Sequence, residues 1–396
     1  MVKNNGIIHM KKRLLLTTFL TFISAQTFAQ SADLTATFSG DKEPSKQAYE
    51  QNKSDTKIAD DRGIFSFLNF SFIKKPFTFF SNDTSQNAKE NQITEDKEKP
   101  KPETPLERAI RLAESGDADN ALTLGYMYLY GQNGVEADYK KAFHFYQIAA
   151  ERNNVIALNN LGSLYFNGIG TDVNYEKAAK LFLKSAQLGS DDAAVNLAFI
   201  YLGSGNTEFC ESAIKLFEQA AKTDNNTAKF MLGYAYYKGF VVDRNPYQAI
   251  DYIRQAANAG FDEAHYVLAN IYTHGDGITK NYGNAVKHYR AAIAQGNVES
   301  MLELAQILAE GKMFPQSLIQ AHILYNIASV YGALNASENR DNLESALKID
   351  ELLDAQNAAE NFQENPSELT QYIRQTFGTN IRQYIDNNIA RKGKTN

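Results

Sequence analysis

The residues that could do chemistry are few and scattered. Ser-x-x-Lys, a pattern in which a lysine can activate a serine hydroxyl, starts at Ser39, Ser54, Ser71, Ser212 and Ser345. An acyl-transfer site of that type also needs Ser-Asp-Asn and Lys-Thr-Gly, and neither accompanies any of the five. His265, His274 and His288 fall within one short stretch and permit a zinc hypothesis. The stronger reading is that they are surface or half-buried histidines of a helix hairpin. Cys210, the only cysteine, reads as a packing residue rather than a nucleophile. There is no HExxH, phosphate-binding loop or GxSxG. Gly168/Gly170 and Gly275/Gly277 read as turns between helices, with no phosphate role. We expect no catalytic residues, no metal, no cofactor and no enzyme.

Composition narrows the class further. One cysteine in 396 residues excludes a disulfide scaffold and every Cys-rich zinc module. A net charge of −6 gives no global case for nucleic acid. No window of 18 apolar residues occurs, so no spanning helix is expected after the N-terminal signal.

Met10-Lys11-Lys12-Arg13, an apolar run from Leu14 to Ile23 and small residues at Thr27 and Ala29 read as a signal peptide, 1–29, cleaved after Ala29. An uncleaved anchor is the alternative. The expectation is export to the periplasm, or secretion beyond it. Residues 30–104 are polar and charged, lack periodicity and are expected to be disordered. Within them a Phe-rich segment, 63–80 (GIFSFLNFSFIKKPFTFF), interrupts the pattern. It is compatible with a docking strand, a weak membrane contact, or a sticky tract with no partner.

From residue 105 the chain repeats. Leu124, Leu161, Leu197, Leu232, Leu268 and Leu304 are 37, 36, 35, 36 and 36 residues apart. Glycines 131, 168, 203, 239, 275 and 311 keep the same register. So do alanines 142, 178, 213, 249, 285 and 321, and tyrosines 128, 165, 201, 236 and 272. A fixed period in the mid-thirties signals a solenoid of helix hairpins. The first helix carries Leu and Tyr on one face and ends at the glycine. The second opens with a capping column, Asp138, Asn174, Asn245, Asn281 and Ser317, with Pro246 at a first helical position. The third unit departs from this, and Thr207 is its expected cap.

The pattern A-x-x-x-L-G-x-x-Y-x-x-G, then G-[VI]-x-x-[DN]-Y-x-x-A and A-A-x-x-G, resembles the Sel-one-like repeat (SLR) family, most fully from Ala157 to Gly189. The resemblance implies an all-α, right-handed α-solenoid with units of about 36 residues. A half-repeat plus six units would span 105–336, and capping helices 337–396. Glu338 to Phe362 would close the array, with a further helix from Ser367 to Arg391.

In similar repeats the first helices line a groove. The face opposite Leu and Tyr places Asn159, Ser163 and Phe166 there, then Val195, Phe199 and Leu202, then Phe230, Tyr234 and Tyr237, then Tyr266, Asn270 and Thr273. Exposed, these would form an apolar protein-binding patch; alternatively, curvature buries them. On the first view a charge at Phe199 or Tyr234 would abolish partner capture without changing stability. The function implied is a non-enzymatic scaffold, adaptor or regulator in the bacterial envelope. Exported relatives imply a partner among envelope enzymes that remodel peptidoglycan, polysaccharide export machinery or sensor kinases. The alternatives are a secreted host-interaction factor and a peptidoglycan-binding or glycan-binding protein or enzyme.

Overall fold

A computed structural model describes residues 103–378 and 380–392. The expected signal peptide, the polar stretch and the Phe-rich segment lie outside the described residues. Among the described residues all regular structure is helical, and no helix is long and apolar enough to cross a membrane. The chain divides into two compact units at Ala193/Ala194, within α6.

The first unit holds α1 (Pro105–Glu114), α2 (Ala118–Tyr130), α3 (Tyr139–Glu151), α4 (Val155–Asn167) and α5 (Tyr175–Gln187). The half-repeat expected at Pro105 is α1, opened by a reciprocal cap between Thr104 and Glu107. The second unit continues from α6 (Asp191–Ser204) through α7 (Thr207–Ala221), α8 (Asn226–Lys238), α9 (Pro246–Asn258), α10 (Asp262–His274) and α11 (Tyr282–Ala294). It then runs through α12 (Val298–Glu310), α13 (Leu318–Val330), α14 (Ala336–Glu344), α15 (Ile349–Glu360), α16 (Glu368–Phe377) and α17 (Gln383–Lys392).

Three interactions recur where the hairpins close, the first two in five units and the third in three. Asp138, Asn174, Asn245, Asn281 and Ser317 each cap the second helix with their side chains. The backbone N–H of the same residue donates to the carbonyl of the Tyr column, as in Asp138 to Tyr128 at 2.7 Å and Asn174 to Tyr165 at 2.8 Å. The caps and tyrosines therefore share a register because they share a hydrogen bond across the turn. The tyrosine rings then lie on the second helix: Tyr128 stacks on Phe145 and Tyr236 on Tyr252. The glycine after the Leu column gives the third interaction. A Cβ on Gly162 would stand 2.8 Å from the Phe182 ring, and one on Gly125 2.7 Å from Tyr146. Both rings are buried. In these two units the missing side chain makes room for the ring; Ala198, Ala269 and Ala305 stand at this position in the third, fifth and sixth units.

Several expectations need correction. In the third unit Asn206, not Thr207, caps α7, bonding the N–H groups of Glu208 and Phe209. Gly203 does not end its helix; α6 runs on to Ser204, and Gly205 takes the positive φ. The turn here is shorter, and its left-handed glycine comes eight residues after the Leu column where the other units have seven. The closing segment from Glu338 is two helices, α14 and α15, packed on α13. The single helix expected from Ser367 is also two. Gly378, at φ 79° and ψ −173°, breaks it in a region of backbone space open to glycine alone.

The two glycine environments give opposite expectations. Gly162→Ala overpacks a buried contact and should cost about 1–3 kcal/mol. Gly203→Ala puts its methyl where nothing lies within 4 Å, on a helix with ordinary φ. It should gain about 0.5–1 kcal/mol. Paired thermal or urea denaturation checks the sign of each.

Candidate functional site

The face singled out by sequence lies mostly out of solvent. Asn159, Ser163, Val195, Phe199, Leu202, Phe230, Tyr234 and Thr273 are buried, while Phe166, Tyr237, Tyr266 and Asn270 are half-buried. In the first unit Ser163 donates to the Asn159 carbonyl at 3.0 Å, and Phe166 meets the edge of Tyr175. In the second unit the chain's own C-terminal segment covers Phe199, Leu202, Tyr234 and Tyr266, whereas Asn270 and Thr273 meet the Tyr289 hydroxyl and Phe230 packs on Phe261. Helices α16 and α17 lie against α6, α8 and α10, on the face expected to be open to a partner.

The contacts are specific. Phe199 packs on Phe377 at 4.1 Å between ring centroids, on Tyr384 at 4.9 Å and, beneath, on Phe217 at 5.6 Å. The Tyr234 hydroxyl donates to the Asp386 carboxylate at 2.8 Å, and Lys238 lies 3.6 Å from the same group. Burial raises the Tyr234 phenol well above its ordinary pKa, so it remains a donor. The Arg382 guanidinium lies over the Tyr266 ring at 4.7 Å. Asn388 donates its amide to the Leu202 carbonyl at 2.7 Å.

The first turn of α10 anchors this arrangement. Most first helices open on a polar cap: Asp117, Asn154, Asn225 and Asn297. In α10 that position is Phe261, which makes no side-chain cap. Thr370 of α16 supplies it instead, its hydroxyl accepting from the Asp262 N–H at 3.0 Å. Ser367 donates to the Gly260 carbonyl at 2.6 Å, and the Asn365 N–H to the Ala294 carbonyl at 2.8 Å. Asp262 and Glu263 are buried carboxylates, 3% and 2% exposed. Asp262 pairs with Arg374 at 2.6 Å, and Glu263 with Arg382. Asn297 donates to both acids, at 3.3 and 3.1 Å. Burial pushes the Glu263 carboxyl up to about 7, against the pull of Arg382.

Sequence reasoning missed Thr370, Arg374, Phe377, Arg382, Tyr384, Asp386 and Asn388, as well as Asp262 and Glu263. Two signals pointed to them. Phe261 breaks the polar column before the first helices. Thr370, Ile373 and Phe377, all buried, recur at helical spacing in a segment beyond the array, so they need a surface to cover.

The other candidates do not assemble into chemistry. Ser212 turns its hydroxyl back to the Glu208 carbonyl at 2.9 Å, Cys210 is buried in α7, and Ser345 ends α14. The remaining Ser-x-x-Lys serines lie outside the described residues. The Nδ1 atoms of His265 and His288 are 2.9 Å apart, and the His288 ring stacks on Tyr272. His274 stands nine residues along the same helix from His265, about 13 Å, and its Nδ1 faces the Asn270 carbonyl. The three are not brought together. A cleft of about 390 Å³ beside α9 is lined by Tyr247, Ile250, Asp251, Arg254, Tyr272 and Ile278, with no Ser, Cys or His among them.

Phe199→Asp should therefore unfold or loosen the second unit, contrary to the expectation of unchanged stability. It puts a charge between Phe217, Phe377 and Tyr384 and should cost at least about 3 kcal/mol by denaturant titration. A second expectation concerns pH. Burial, His265 and the cations Lys287 and Arg254 depress His288 to about 4, and burial also lowers His265. Unfolded histidine titrates near about 6.5, so between these values the unfolded chain binds more protons. The histidines' contribution to stability should fall as pH drops from about 6.5 towards 4, whereas Glu263, raised to about 7, contributes with the opposite sign over the same range. His288→Gln should remove part of the histidine contribution, read as the difference between the two proteins' melting temperatures across that pH range.

Comparison with known proteins agrees with this repeat structure. The Sel1 repeat model matches residues 123–154, 155–190, 192–225, 227–261, 262–297 and 298–329, together more than half of the chain. A sel1-like repeat-containing protein of Acanthamoeba polyphaga mimivirus is 34% identical over 131 residues, 33% of this chain and 24% of its own length. Among solved structures, a Sel1 repeat protein from Oxalobacter formigenes is 28% identical and covers 57% of this chain and 98% of its own, with a TM-score of 0.48. A protective antigen of uropathogenic Escherichia coli with an SLR fold is 24% identical and covers 74% of this chain and 66% of its own, with a TM-score of 0.44. This chain thus spans about a quarter of the viral relative and under two thirds of the E. coli antigen. Six consecutive matches, each falling on a helix hairpin, leave one conclusion: the chain belongs to the Sel1 repeat family.

Proposed function

We propose that this protein is a non-enzymatic interaction scaffold of the bacterial envelope, engaging a protein partner through the face of its first helices. Sel1 repeats generally serve protein–protein interaction. One observation carries the reading beyond the family. The face built by α6, α8 and α10 accommodates two helices of this same chain through an aromatic contact, buried ion pairs and hydrogen bonds to backbone carbonyls. A surface that seats helices so specifically is chemically suited to recognising protein. Export rests on the basic, apolar and small-residue pattern of residues 1–29. The partner class we favour is an envelope protein: a peptidoglycan-remodelling enzyme, a polysaccharide export component or a sensor kinase.

Photocrosslinking in intact cells tests this. A photoreactive side chain at Tyr237 or Asn270, both half-buried on that face, should trap one discrete envelope protein. The same group at Tyr247, 74% exposed on a second helix, should not trap it. Recovery of the protein in the medium, or no specific adduct from either face position, would sink the envelope-scaffold reading.

A further inference from the structure

The C-terminal helices have the features of a ligand, and their chemistry defines what else the face could take. They follow seven residues outside any helix, 361–367. Phe377 and Tyr384 cover Phe199, and Arg374 and Arg382 meet Asp262 and Glu263. Asn388, Thr370 and Arg374 also donate to the backbone carbonyls of Leu202, Gly260 and Gln295. Such contacts dictate where a helix lies without requiring that it belong to the same chain.

The face cannot stay empty at no cost. Withdrawal of α16 and α17 would leave Asp262 and Glu263 without their guanidinium partners, the Asp262 N–H without its acceptor and Phe199 open to water. Removing one partner of a buried ion pair leaves the other charge uncompensated. The replacement must therefore supply guanidinium groups to the two acids and an aromatic side chain to Phe199. A lysine would be a poorer substitute, because a guanidinium offers a planar fork of donors.

We propose that the α6–α8–α10 face is a helix-binding site held by α16–α17 as an internal ligand, and that its external ligand is an arginine-bearing amphipathic helix of a protein partner, which displaces them. The proposal rests on the scaffold reading above. Tethering gives the internal ligand an effective concentration that a partner must overcome, and the tether is itself held, Asn365 and Ser367 bonding Ala294, Gln295 and Gly260. The site is consequently gated. A helix of the right chemistry enters only when it outcompetes the tether or when the segment 361–367 is cut or pulled away.

The test uses the full chain and a labelled synthetic peptide with the sequence of residues 364–392. Hydrogen exchange on the intact protein should show the amides of α16 and α17 opening at least ten-fold faster than those of α8 and α10. A protease site placed between Asn361 and Ser367 then allows the folded protein to be cut in place. After cutting, fluorescence anisotropy should show the labelled peptide replacing the resident segment. A peptide carrying Arg374→Ala and Arg382→Ala should bind at least ten-fold more weakly. The uncut chain should bind the normal peptide at least ten-fold more weakly than the cut chain. If the C-terminal amides exchange only together with those of α8 and α10, or the peptide cannot enter the cut protein, the helices are a fixed part of the fold and the proposal is overturned. That result would confine the scaffold reading to the part of the first-helix face that the C-terminal helices leave open, at Tyr237 and Asn270, where the crosslinking experiment decides it separately. If the inserted site prevents folding, exchange on the unaltered protein still decides whether the segment opens on its own.

Discussion

The second unit depends on the first turn of α10. A helix N-terminus exposes unsatisfied N–H groups, and here the capping position is Phe261, which cannot satisfy them. Two carboxylates follow at Asp262 and Glu263, both buried. Their placement at the positive end of a helix is favourable, but burial without counterions would be costly. The chain resolves the conflict from more than a hundred residues away. Thr370 supplies the acceptor, and Arg374 and Arg382 supply the charges. Asn297, the cap of the next first helix, donates to both acids. One defect in a repeated column thus fixes where the C-terminal helices lie.

That placement changes how the protein can act as a scaffold. An apolar face on a solenoid is a general binding surface, and its selectivity comes from the polar groups set into it. Phe199, Phe230 and Tyr234 provide the apolar part, while Asp262, Glu263 and the carbonyls of Leu202 and Gly260 provide the discriminating part. The chain's own helices satisfy both together. A partner read by the same rules would need a comparable match. The unit's surface chemistry and its internal packing are therefore one problem, because the residues that recognise a helix are also those that a helix must cover.

The regular units rest on simpler physics. The turn is closed by a cap residue that bonds the second helix with its side chain and the Tyr-column carbonyl with its N–H. Glycine after the Leu column makes room for Phe182 or Tyr146. Where the third unit shortens its turn, Asn206 takes over the cap and Gly205 the positive φ. The turn is closed by a relay instead, the Asn206 N–H donating to the Ser204 hydroxyl, which donates to the Tyr201 carbonyl.

The sequence alone determined the all-helical class, the six-fold repetition and five of the second-helix caps, because each is set by residues within one period of each other. It also identified the face on which Phe199, Tyr234 and Tyr266 lie, since helical spacing alone orients a side chain relative to its neighbours. Tertiary structure decided what covers that face. The pairing of Thr370 with Asp262, or of Arg382 with Glu263, joins residues separated by more than a hundred positions, and no periodicity links them. The break at Gly378 was equally out of reach, because an isolated glycine near a helix end is compatible with both a cap and a turn. In space, the break lies between Arg374 and Arg382, the two guanidinium groups that meet the two buried carboxylates.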